Sequence, residues 1–80
     1  MAIQSTSLAA IGPGKQARVV AVTAGHNLAQ RLADMGLTPG TVLRVVNRQG
    51  SGPILVELRG TKIVLGSGIS QKIIVDQTGD

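Results

Sequence analysis

Short apolar runs separated by turn residues organise this chain. Residues 17–22, Ala-Arg-Val-Val-Ala-Val, are dense in β-branched side chains and read as a first strand. Residues 41–46, 54–58, 62–65 and 72–75 carry the same signature, giving about five short strands. In 54–58 the alternation turns Ile54, Val56 and Leu58 to one face. Leu55 falls out of phase and is expected on the outside, as part of a contact patch. Between the first two strands the period changes. Leu28, Leu32 and Met35 fall at i, i+4 and i+7, one stripe of an α-helix. Asn27 is its expected N-cap, with Gln30 completing a capping-box-like pair. Gly36 is placed to close the helix in the left-handed conformation, with Leu37 packing back onto the last turn. Pro39-Gly40 then sets a type II turn.

Gly12-Pro13-Gly14, Gly50-Ser51-Gly52-Pro53, Gly60-Thr61 and Gly66-Ser67-Gly68 supply the remaining turns and hairpin loops, and Ile69-Ser70-Gln71 a single helical turn. Residues 1–7 are small and polar and are expected to be flexible until Leu8 and Ile11 anchor the chain. Nothing repeats and no second domain is signalled, so 1–80 is expected to form one domain. Closely spaced strands with a helix after the first fit a mainly β, small antiparallel barrel, which removes exposed sheet edges by closure.

Composition sharpens this picture. The chain has 80 residues, no cysteine and no aromatic residue. Its core must therefore come from Val, Ile, Leu and Ala alone, without disulfides or thiolate metal sites. No apolar run reaches the roughly 18 to 20 residues that cross a bilayer, and the N-terminus lacks a secretory pattern. The expectation is a cytoplasmic protein without membrane insertion. A net charge of +4 favours acidic partners while also serving solubility. Arg44, Arg48, Arg59 and Lys62 gather along the central hairpins, and together with Leu55 they are the candidate partner contacts. Met35, Leu37 and Pro39 offer a second apolar edge, although core and cap packing is the simpler account of Met35 and Leu37.

Taken in order, several segments resemble the FeoA family. They are Leu8-x-x-Ile11-x-x-Gly14, Arg31-Leu32-x-x-Met35-Gly36-Leu37-x-Pro39-Gly40, Gly52-Pro53-x-x-Val56-x-Leu58-x-Gly60, Ile63-x-Leu65-Gly66 and Lys72-Ile73-x-Val75. The resemblance runs from Leu8 to Val75 and is most specific between Arg31 and Gly40. It implies an SH3-like barrel with a helix inserted after the first strand. It also implies an accessory role in bacterial ferrous iron uptake through contact with FeoB, a membrane-embedded GTPase-permease, and a family-level association with transition metals. Ser67 stands where a basic residue often follows Leu-Gly in the family, and Ser70 where Ala is usual. A related pattern forms the C-terminal domain of metal-dependent repressors, whose N-terminal DNA-binding region has no counterpart in these 80 residues, so a repressor role is not expected.

The chemistry of a site is harder to find. Ferrous iron draws on grouped His, Cys and carboxylates. Here there is one His, His26, with carboxylates only at Asp34, Glu57, Asp76 and Asp80. No metal site and no cofactor are expected. No spacing joins a nucleophile, a base and an orienting group, so no catalytic residue is assigned and the chain is not expected to be an enzyme. Gly12-Pro13-Gly14-Lys15 precedes a strand, whereas a phosphate loop leads into a helix. The alternative to a protein-binding role is a small basic barrel that binds RNA or single-stranded DNA. That mechanism ordinarily stacks bases on aromatic rings, which are absent here. Exposed strand edges leave a homodimer open.

Overall fold

The structure, a computed structural model, describes residues 5–78. Strands β1 (Ser5–Ser7), β2 (Gln16–Val22), β3 (Val42–Arg48), β4 (Ile54–Leu58), β5 (Thr61–Leu65) and β6 (Ile73–Thr78) form one antiparallel sheet in the order β1-β6-β2-β3-β4-β5. A nine-residue helix, α1 (His26–Asp34), joins β2 to β3. A 3₁₀ turn covers Leu8–Ala10, and a single helical turn, α2 (Ser67–Ser70), follows β5.

Alternation built this sheet. Ala17 and Val19, Leu43 and Val45, Ile54, Val56 and Leu58, and Ile73 and Val75 all turn inward and are buried. Leu8, Ile11, Leu32, Leu37 and Leu65 complete an all-aliphatic core. Leu28, Ile63 and Ile69 pack against it from positions that keep some exposure. Each fully buried Val, Leu or Ile contributes roughly 1.5–3 kcal/mol relative to exposure, which is how so small a chain dispenses with aromatic anchors.

The mainly β, SH3-like expectation with its helix holds, and it differs from the structure in two respects. First, the described residues form six strands. Ser5–Ser7, within the segment expected to be flexible, pair with β6 in the register Ser5↔Asp76, Thr6↔Val75 and Ser7↔Ile74. The rest of that expectation, residues 1–4, lies outside the described residues. Second, among the described residues the ladder is not closed: β1 and β5 are its two edges. The apolar alternation that argued for a barrel specifies which face is inward, not whether the last strand meets the first.

The segment following α1 forms as its sequence dictates. Gly36 has φ +94°. Leu37 N–H donates to the Leu32 carbonyl at 2.9 Å and Gly36 N–H to the Ala33 carbonyl at 2.9 Å, the paired bonds of a Schellman cap. Leu37 is buried beneath it, whereas Met35, the C-cap residue, is 42% exposed. The stripe Leu28–Leu32–Met35 thus ends one residue early. Thr41 N–H donates to the Thr38 carbonyl across Pro39-Gly40, and Gly40 has φ +93°, as a type II turn requires. The Thr41 hydroxyl donates to the Gly36 carbonyl at 3.0 Å, tying turn to cap.

Two local expectations shift. The N-cap of α1 is Gly25, with no side-chain cap; Asn27 lies inside the helix, and Gln30 Nε2 donates instead to Asp34 Oδ1 at 3.0 Å. The tight turn of the β4–β5 hairpin is Arg59-Gly60, one residue earlier than Gly60-Thr61, because Leu58 pairs with Thr61. Both turn residues have positive φ, +54° and +82°, as a type I′ turn demands.

Candidate functional site

The outer side of β3, β4 and β5 gathers most of the candidate residues. Cross-strand register sets Gln16, Arg44, Glu57 and Lys62 in one polar row over four strands. Arg44 Nη2 lies 3.9 Å from Glu57 Oε1, with the arginine side chain about half exposed. An ion pair that loose and wet contributes little stability, so it leaves the cations available to a ligand. Glu57 stands between two cations, and the row is net positive. Arg59 projects from the Leu58–Thr61 turn, one register step beyond the Glu57↔Lys62 pair.

An apolar row lies beside the polar one. Asn47 pairs with Leu55, and Leu55 with Val64. Leu55 is half-buried and Val64 is 67% exposed, the most exposed large apolar residue described. Together they line an open groove of about 300 Å³ that continues over Asn47 and Pro53. A second open groove, about 310 Å³, runs over Arg44, Val46, Glu57 and Lys62. Val46 is exposed too, outward by alternation with buried Val45, and just beyond it the register of β3 shifts, which brings Asn47 onto the outer face opposite Leu55.

The structure therefore brings Arg44, Leu55 and Lys62 together, with Arg59 at the end of the same hairpin. Arg48 borders the groove over Leu55 and Val64 but stands outside the polar row, its guanidinium held elsewhere. Arg48 pairs with inward-facing Ile54; its Nη1 donates to the Ile11 carbonyl at 3.3 Å and its Nη2 to the Gly50 carbonyl at 3.4 Å. Its side chain fastens the β3–β4 loop to the segment before β2. The β-bulge caused this reversal, since one added residue moves Arg48 to the opposite face from strict alternation with Arg44. Val64 was missed by sequence reasoning, although the alternation that singled out Leu55 also applies to Lys62-Ile63-Val64-Leu65. The same alternation, with Leu43 and Val45 inward, also applies to Val46.

Elsewhere, His26 is exposed at the first turn of α1. Among the described residues no three His, Cys, Asp or Glu side chains come together to hold a metal ion. Asp76 is buried, accepts a hydrogen bond from Ser5 Oγ at 2.7 Å and faces Arg18 Nη2 at 3.9 Å, which makes it a fastening for β1. Gly12-Pro13-Gly14-Lys15 is a turn leading into β2, with Gly14 N–H donating to the Val45 carbonyl at 2.7 Å. Among the described residues no helix is long and apolar enough to cross a membrane.

The sequence and the fold are similar to those of known proteins. A Methanocaldococcus jannaschii protein named Fe(2+) transport protein A is 35% identical over 63 residues, covering 79% of this chain and 76% of its own. A crystal structure of an iron uptake regulatory protein, FeoA, superposes with a TM-score of 0.87 at 33% identity, covering 94% of this chain and all of that one. A manganese-dependent transcriptional repressor superposes with a TM-score of 0.86 at 25% identity, over 98% of this chain but only 44% of its own. Residues 6–77 match the model of the FeoA domain, and the chain belongs to the FeoA family.

Proposed function

We propose that this chain is an accessory protein of ferrous iron uptake that works by docking, in the cytoplasm, on the cytoplasmic GTPase part of a FeoB-type permease. Its relatives are named for iron transport and iron uptake, which supports the pathway. The observation that supports the mode of action is the exposed pairing of an apolar row, Leu55 and Val64, with a basic one, Arg44 and Lys62, on one face of the β3–β4–β5 sheet. Exposed apolar residues rimmed by charge are the usual composition of a protein-binding patch. The face carries no nucleophile–base pair, so its chemistry is recognition.

The test is a titration of the purified transporter's cytoplasmic region with this protein. The wild type binds; the double variant Leu55→Glu with Lys62→Glu loses affinity by about 100-fold, since it places two charges against an apolar and anionic counterpart. Binding unchanged in the double variant would remove this face from the interaction. Tight, steeply salt-dependent RNA binding without transporter binding would favour the nucleic-acid alternative.

A further inference from the structure

The β5 strand is open for one more strand, and we propose that the partner's contribution is an extended acidic segment that pairs with it. This rests on the docking reading above and adds its mode of recognition. Among the described residues the sheet ends at β5, whose only neighbour is β4. Leu58 and Thr61 flank the type I′ turn and form the hydrogen-bonded pair that closes the hairpin. In an antiparallel ladder such pairs alternate, so Val56↔Ile63 and Ile54↔Leu65 also exchange bonds. Lys62 and Val64 therefore turn their N–H and C=O groups away from β4, out of the sheet edge. Among the described residues neither takes part in any backbone hydrogen bond outside the ladders. A row of unpaired donors and acceptors is a template for an added strand.

The side chains specify what is added. Lys62 and Val64 both point to the outer face, and Ile63 to the rim of the core. An incoming strand in register meets a cation at Lys62, with Arg44 in the same row and Arg59 at the turn, and an exposed apolar surface at Val64 continuous with Leu55. That complements a carboxylate opposite Lys62 and apolar side chains opposite Ile63 and Val64. A second copy of this chain fits poorly. Each copy carries +4, and two five-residue edges bury far less than the area of about 1,200 Å² or more that stable dimers use.

Proline at position 64 deletes one outward N–H while leaving the bonds to β4 intact, because an edge strand tolerates it there. Val64→Pro weakens binding of the transporter's cytoplasmic region about tenfold or more, whereas Val64→Thr, which keeps the N–H, changes it less than about threefold. Independently, in the wild-type complex, hydrogen exchange at the Lys62 and Val64 amides slows by about tenfold or more. That second measurement stands even if Val64→Pro does not fold. Val64→Pro binding like wild type, or unprotected amides in the complex, overturns strand addition; if Leu55→Glu still abolishes binding, the docking face survives. No binding by the wild type overturns both. A concentration-dependent dimer that Val64→Pro abolishes assigns the edge to a second copy and overturns the acidic segment.

Discussion

Gly36 is required on two counts, conformation and space. Its φ of +94° is one that side chains rarely adopt, and an added Cβ would lie 3.2 Å from Leu58 Cδ2. Gly36→Ala is expected to destabilise the fold by about 1–3 kcal/mol, read as a shift in the urea midpoint at constant m. Gly40→Ala, at φ +93° with open space around the Cβ, isolates the backbone component and costs about 1–2 kcal/mol. Equal losses would show that the Leu58 contact relaxes without penalty. Arg59 presents the opposite case, a long side chain held at φ +54°. Arg59→Asn suits a type I′ turn and is expected to stabilise by up to about 1 kcal/mol while weakening partner binding. Stabilisation with unchanged binding would assign Arg59 to the turn alone. The positions of both glycines were legible because positive φ has a local chemical signature. Arg59 was not legible, since its conformation is imposed by the pairing of Leu58 with Thr61.

The element that sequence reasoning misjudged is β1. Ser5-Thr6-Ser7 has no apolar alternation, and its pairing depends on a residue more than seventy positions away. Asp76 accepts the Ser5 hydroxyl while Arg18 lies opposite in β2. Arg18 is half exposed, so the ion pair adds little, and the hydrogen bond to a buried carboxylate carries the contact. Asp76→Ala is expected to cost about 1–3 kcal/mol and to speed amide exchange specifically across Ser5–Ser7. Uniform acceleration across the sheet would instead mean that Asp76 supports the whole β2–β6 ladder. The better-read elements, α1 and the β4–β5 hairpin, are those whose boundaries rest on neighbouring residues. Even there the N-cap moved to Gly25, because the backbone entered the helix before Asn27 could use its side chain.

Across the whole molecule, a small net positive charge and a short open edge work together on one side of the sheet. If that side docks on an acidic surface, raising salt from about 50 to about 200 mM is expected to weaken binding to the transporter region several-fold, through slower association. Salt-independent binding would shift the weight to Leu55 and Val64. The sequence by itself determined the strand and helix types, the all-aliphatic core and the Schellman cap with its type II turn, because period, β-branching and glycine or proline geometry act over a few residues. It also determined the family, through motifs spread from Leu8 to Val75. Only the tertiary structure decided that Arg44, Glu57 and Lys62 align, that Arg48 turns inward, that Ser5–Ser7 form a sixth strand, and that the sheet stays open at β5. Each of those depends on register, and register comes from pairing distant segments and from the bulge at Val46, which adjacent residues do not encode.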